Sequence, residues 1–314
     1  MSGKILELRH LRKSFDGAPV LKDISFSVDS GEVIVIVGPS GCGKSTLLRC
    51  INGLERADGG EILLNGSAVN TAARDMYLTC RRIGMVFQSY ELFPHLDVMG
   101  NLLLGPVKAL RSDAAAVRAE ALTLLKRVGL EDKAKALPRT RSGGQKQRIA
   151  LVRAMLMHPE LLLLDEITAA LDPEMVHEVL NVVLDLADGG MTMLIVTHEM
   201  RFAEAVADRI LFVDEGLVVE DAPPERFFHG PQTDRAQRFL KGFDFESRRD
   251  RGREAWSSHG RRLRRTHRPA EPQSVDKVND LQTLRKHARQ GSKAANKGAY
   301  MDVSDRNLQP QLTQ

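Results

Sequence analysis

The segment Gly38-Pro39-Ser40-Gly41-Cys42-Gly43-Lys44-Ser45-Thr46 constrains this chain more than any other. It fits the pattern G-x-x-x-x-G-K-[ST] and follows directly on an apolar run, Val33–Val37 (VIVIV). Glycines at these positions let backbone N–H groups approach phosphate oxygens with no Cβ in the way. A helix opening near Lys44 offers unpaired N–H groups and the positive end of its dipole to the same anion. In such a loop Lys44 would neutralise β/γ-phosphate charge, and the Ser45 hydroxyl would ligate Mg²⁺. Ordinary composition yields such a match on the order of 1% of the time in a chain of this length. The strand before it and the helix after it make chance rarer still.

The rest of the pattern agrees with a strand–loop–helix setting. Leu161–Leu164 and Met193–Val196 are further short apolar runs, each ending at polar residues, as strands buried on both faces of a largely parallel sheet do. Between the strands lie helical patterns. Ser112 is expected to cap a helix whose apolar face holds Val117, Ala121, Leu124, Leu125 and Val128, with Gly129 ending it. The fold class is α/β. Asp165 and Glu166 follow the Leu161–Leu164 run, which puts Asp165 at the carboxyl end of a strand, where a carboxylate can hold Mg²⁺. Glu166, one residue on, is placed to orient and deprotonate a water.

Composition bounds the partners. No stretch approaches the roughly 18–20 apolar residues of a membrane span, and the amino end lacks the apolar core of a signal peptide. Cys42, Cys50 and Cys80 are too few and too scattered for a disulfide framework and read as reduced thiols of a cytosolic protein. The net charge of +4 is unevenly spread. Residues 247–314 hold 16 Lys/Arg against 7 Asp/Glu, so the remainder is acidic, with 29 against 34. Only 17 of those 68 residues are apolar, too few to offset the entropy of ordering, so a disordered tail is expected. Val275, Val278, Leu281, Leu284 and Ala288 recur at helical spacing and allow one marginal helix there.

Arg141-Ser142-Gly143-Gly144-Gln145, followed by KQRIALVRA, resembles the signature motif of ATP-binding cassette (ABC) ATPases. Other elements of that family occur in order. Gln88 in MVFQ resembles the Q-loop glutamine, Ala170-Leu171-Asp172 the D-loop, and Thr197-His198 the switch histidine. Phe15 stands where the family stacks an aromatic ring on adenine. The resemblance runs from Ile5 to Gly242, which makes 5–242 the cassette domain. It implies a RecA-like core with a mainly parallel sheet, a small antiparallel β subdomain and a helical signature subdomain. The wording Leu92-Phe93-Pro94-His95, ALDPE and VTHEM is closer still to importers of polar amino acids such as glutamine, histidine or arginine, with importers of osmolytes, metal chelates or other small solutes as the alternative.

By that resemblance two cassettes pair head to tail, as a homodimer, each enclosing ATP between the phosphate loop of one and Ser142-Gly143-Gly144-Gln145 of the other. Glu166 and His198 would be catalytic. Ser45, Gln88 and Asp165 would hold Mg²⁺, and Ser89–Leu104 would meet membrane permease subunits. A periplasmic-type solute-binding protein is implied indirectly, specific nucleic acid is not, and the location is the cytoplasmic face of the membrane. Two residues depart from the family: Arg141 stands for the usual Leu, and Ile167 for the usual Pro.

Repair-type cassette proteins insert long coiled coils between phosphate loop and signature, and ribosome-acting ones carry two cassettes. Here Lys44 and Ser142 are 98 residues apart without heptads, and there is one cassette. A degenerate, non-hydrolysing half is opposed by the intact Lys44, Asp165, Glu166 and His198. The tail has no means of packing on the body. A chain ending near Glu246 is therefore expected to fold and to bind ATP with the affinity of the full chain. Loss of either on truncation, read by thermal unfolding and ATP titration, would contradict that.

Overall fold

The computed structural model describes residues 3–69, 76–169 and 171–243. The tail, its marginal helix and Ala170 lie outside the described residues.

Three hairpins share one device. β1 (Lys4–Phe15) and β2 (Ala18–Asp29) are joined by Asp16-Gly17, with φ of +50° and +81°. β4 (Gly59–Leu64) and β5 (Ser67–Ala68) are joined by Asn65-Gly66, and β9 (Arg209–Asp214) and β10 (Leu217–Ala222) by Glu215-Gly216. Both residues of each pair have positive φ, as a two-residue turn matching strand twist requires.

The remaining elements alternate. β3 (Val33–Val37) leads to α1 (Lys44–Asn52). α2 (Met76–Arg82) precedes β6 (Ile83–Val86). Then come α3 (Val98–Leu103), continued as a π-helical stretch over Leu104–Ala109, α4 (Ala114–Arg127) and α5 (Gly143–Met155). β7 (Leu161–Asp165), α6 (Pro173–Asp188), β8 (Met193–Val196) and α7 (Met200–Val206) follow, with α8 (Pro224–His229) and α9 (Asp234–Lys241) after β10.

The strands run in the order β5-β4-β1-β2-β10-β9-β3-β8-β7-β6. From β9 to β6 neighbours are parallel, whereas β1, β2, β4 and β5 pair antiparallel. This is the expected mainly parallel core with a smaller antiparallel part.

The apolar runs explain the layering. Along β3 the side chains alternate faces. Ile34 and Ile36 join Leu47, Leu48 and Ile51 of α1 in one core, while Val33, Val35 and Val37 join Val179, Leu180 and Val183 of α6 in another. A strand covered on both sides must be apolar at every position, which is why VIVIV does not alternate. A third core, under α3, α4 and α5, gathers Val98, Leu102, Val117, Leu125, Ile149 and Val152.

One boundary differs from the sequence reading. Asp113, not Ser112, caps α4: its Oδ2 accepts from the Ala116 N–H at 2.8 Å. The Ser112 N–H instead donates to the Pro106 carbonyl, closing the turn before the cap. Gly129, at φ +69°, does end the helix, and Val117, Ala121, Leu125 and Val128 are buried. Asp113→Ala should cost about 1 kcal/mol and lower Tm by about 2–4 °C. Ser112→Ala should change it by less than about 0.5 kcal/mol. Equal effects in paired thermal melts would contradict this assignment.

Candidate functional site

The site is built at the carboxyl ends of three adjacent strands. Val196 on β8 pairs with Ile36 on β3 and with Asp165 on β7. The segments that leave these strands, at Gly38, Glu166 and Thr197, therefore emerge side by side, at the edge where ligands bind in open parallel sheets.

The first segment is the glycine-rich loop. Gly38 runs at φ +153°, and a Cβ there would stand 2.0 Å from the Val213 carbonyl oxygen. Gly43, at φ +102°, abuts Leu21 and Val20 of β2. No other residue fits either place. Pro39 is half-buried, and Ser40 and Gly41 are exposed at the loop's crest. Lys44 is buried, and its Nζ donates to the carbonyls of Gly38 at 2.9 Å and Pro39 at 2.8 Å. Ser45 and Thr46 are half-buried in the first turn of α1. Burial pushes the Cys42 thiol above its usual pKa, so it stays neutral beside Lys44.

Two side-chain pairs lie beyond the loop. The Ser45 Oγ donates to Asp165 Oδ1 at 2.9 Å. Asp165 is buried, and that burial raises its pKa against the opposing effect of the Ser45 hydrogen bond. A hydroxyl and a carboxylate brought together are hard oxygen donors of the kind Mg²⁺ takes alongside phosphate oxygens and water, so these residues fit that ion. The second pair is His198 Nε2 and Glu166 Oε1, 2.9 Å apart. Glu166 holds a left-handed backbone at φ +46°, unusual for a residue with a Cβ, with its N–H donated to the Val196 carbonyl. The strand's last pairing thus turns this carboxylate out of the sheet.

Gln88 is exposed, two residues past the end of β6. Phe15, at the end of β1, is 42% exposed and belongs to no core.

Ser142–Gln145 are brought together, but elsewhere. Ser142 caps α5. Its Oγ accepts from the Gln145 N–H at 3.3 Å, and Gln145 Oε1 accepts from the Ser142 N–H at 3.4 Å. This reciprocal box gives Gln145 a structural duty, and its S-x-x-Q spacing is readable in the sequence. A Cβ on Gly143 would meet Leu171 at 2.7 Å and the Tyr90 hydroxyl at 2.9 Å. One on Gly144 would meet Met175 at 2.9 Å. Gly144 is therefore required for packing against the first turn of α6, whereas a side chain at Gly143 would displace only the ends of Leu171 and Tyr90. Among the described residues no hydrogen bond or ion pair links Ser142–Gln145 to Gly38–Thr46.

Other contacts were invisible in the sequence. The Gly144 N–H points to Met175 Sδ at 3.5 Å, Asp172 caps α6 by accepting from the Met175 N–H, and Arg153 donates to the carbonyls of Tyr90 and Glu91. Arg141 turns back onto the Thr140 hydroxyl. Ile167 is buried in the core that holds α6, so an apolar residue there costs the fold nothing.

With this geometry in hand, the chain can be compared with known proteins. The ABC transporter family matches residues 21–169. The glutamate/aspartate import ATP-binding protein GltL of Escherichia coli (strain K12) is 50% identical over 236 residues, 75% of this chain and 98% of that protein. The glutamine transport ATP-binding protein GlnQ of Bacillus subtilis (strain 168) is 48% identical over 236 residues, with the same coverage. A solved dimeric ATP-binding cassette in a post-hydrolysis state, bound to ADP and Pi, superposes with a TM-score of 0.64 at 30% identity, over 70% of this chain and 98% of that one. A nucleotide loop, an acidic pair and a capped signature helix in one α/β chain, with these relatives, allow one assignment: the chain belongs to the ABC transporter family, as an ATP-hydrolysing cassette.

Proposed function

We propose that this cassette supplies the energy for import of a polar amino acid through separate membrane subunits. The observation that carries the reading is the meeting of the Ser45–Asp165 and Glu166–His198 pairs at the end of the phosphate loop. The relatives are named as ATP-binding proteins for glutamate/aspartate import and for glutamine transport, which supports the substrate class.

In this reading the backbone N–H groups of Gly38–Thr46 and the Lys44 ammonium bind the β- and γ-phosphates, and Phe15 stacks on adenine. Ser45 and Asp165, joined by Gln88 in this reading, would hold Mg²⁺, which would supply positive charge against the phosphates. Glu166 accepts the proton of the attacking water. His198, hydrogen-bonded to that carboxylate, fixes its orientation and can reach the γ-phosphate. A second copy completes the site by presenting its Ser142–Gln145 helix start to the same γ-phosphate, an anion at a helix N-terminus. The packing of Ser142–Gln145 on Leu171, Met175 and Tyr90 within its own chain supports that arrangement. So does the dimeric cassette that resembles it.

The membrane side follows similarly. A cavity of about 390 Å³ opens beside the segment after β6, lined by Glu91, Phe93, Leu104, Arg153 and Met157 among others, with Phe93 42% exposed. Its apolar walls and half-buried cation, Arg153, suit a short helix of a permease subunit, which a solute-binding protein loads from the far side. No helix among the described residues is long and apolar enough to cross a membrane. The location in this reading is peripheral, at the cytoplasmic face, as befits an ATP-binding subunit. The cassette is residues 5–242 in this reading, and 247–314 are a dispensable basic tail that gives no reason to expect specific nucleic-acid binding.

Glu166→Gln is the test. The amide keeps shape and hydrogen bonding but takes no proton, so Mg-ATP affinity should hold while turnover falls at least ~100-fold. Because hydrolysis reopens the pair, the variant should run as a dimer in gel filtration with ATP and as a monomer without it. Near-normal hydrolysis would remove Glu166 from the role of base.

A further inference from the structure

The antiparallel part of the sheet holds a buried cation that the phosphate chemistry does not use. Lys13 is only 8% exposed, and its Nζ reaches four partners. It forms ion pairs with Glu55 Oε1 at 2.9 Å and Asp58 Oδ1 at 3.6 Å, and it donates to the Arg56 carbonyl at 2.9 Å. It also lies over the Phe15 ring, 4.8 Å from the centroid. Residues 13 and 15 share a strand face, so this contact is the natural result of an i, i+2 placement. The hydrogen bond that the ammonium donates to Glu55 raises its pKa and keeps it charged.

The same carboxylates tie down the backbone around the ring. Asp58 Oδ2 accepts from the Ser14 N–H at 2.6 Å, and the Asp58 N–H donates to the Arg12 carbonyl at 2.8 Å. The Glu55 N–H donates to the Arg49 carbonyl at 3.1 Å, on the helix whose first turn is the phosphate loop. On the other side Lys13 pairs across the strands with Leu21, whose side chain abuts Gly43. The Lys13 ammonium thus joins the aromatic ring to the loop after α1, while its backbone pairs across the strands with the residue that packs on the phosphate loop.

We infer that Lys13 is a positioning residue for the adenine of ATP: it holds one face of Phe15, leaving the other to the base, and fixes the distance from that ring to the phosphate loop. The inference rests on the reading of Phe15 as the adenine platform. It acts on the base alone, since no contact of Lys13 reaches Lys44 or Ser45.

The test is a set of titrations on the full chain with Lys13→Gln, Phe15→Ala and the double variant, using ATP and, as a ligand without a base, inorganic tripolyphosphate. Lys13→Gln should weaken ATP roughly three- to tenfold, in the range of one desolvated cation–π contact, and leave tripolyphosphate unchanged. Phe15→Ala should weaken ATP at least as much, and Lys13→Gln should add nothing in that background. Glu55→Gln, which keeps the ammonium but loosens it, should shift ATP in the same direction by less. Unchanged ATP affinity in Lys13→Gln, with Phe15→Ala weakened, would overturn the role of Lys13. So would equal losses for ATP and tripolyphosphate, or additive losses in the double variant, because either means that Lys13 does not act through the ring. Unchanged ATP affinity in Phe15→Ala would instead remove the platform, and the inference with it.

Discussion

Everything in the site depends on one register. Val196 on the β8 strand pairs with Ile36 on one side and Asp165 on the other, so three loops leave the sheet at the same level. A shift of one residue in that pairing would reverse the faces of the strand side chains and bury them against the wrong layer. Two cores hold the register: Ile34 and Ile36 against α1, Val33, Val35 and Val37 against α6. The geometry of Ser45, Asp165, Glu166 and His198 thus rests on apolar burial along the strands and the helix that carry them, with the polar contacts among them added to it.

The polar groups carry strain instead. Asp165 is a carboxylate in a place that disfavours its charge, and Glu166 occupies a backbone region that costs on the order of 1 kcal/mol or more for a residue with a Cβ. In the proposed reading, a bound polyphosphate with its cation would relieve the first and use the second. The signature helix differs. Ser142 and Gln145 satisfy each other, and Gly143 and Gly144 pack on Leu171 and Met175, so that end is settled within its own chain. Its Gly144 N–H rests on a thioether, a weak acceptor, which in the proposed pairing a phosphate oxygen of the nucleotide held by a second copy would replace.

What the sequence made legible follows from how local the cause is. The glycine loop was readable because its reasons are backbone clearance and a helix start within nine residues. The buried strands were readable because burial on both faces leaves no polar position. The cap of α4 was misplaced by one residue, since Ser112 and Asp113 are both good caps and only the turn closed on Pro106 decides between them. Lys13, Tyr90 and Met175 gave no signal, because their partners lie across strands or on other helices. The left-handed backbone of Glu166 is imposed by its hydrogen bond to Val196, and no residue type announces it.

The central claim is that each ATP is hydrolysed between the phosphate loop of one copy and the signature of another. Complementation tests it directly: Lys44→Ala and Ser142→Arg, each inactive alone, are mixed in equal amounts and hydrolysis is measured. A mixed pair contains one site with both mutations and one with neither. The account predicts that the mixture recovers part of the wild-type rate although neither variant has any. A mixture as inactive as its components, with mixed pairs shown to form, would mean that loop and signature act within one chain, and would contradict it.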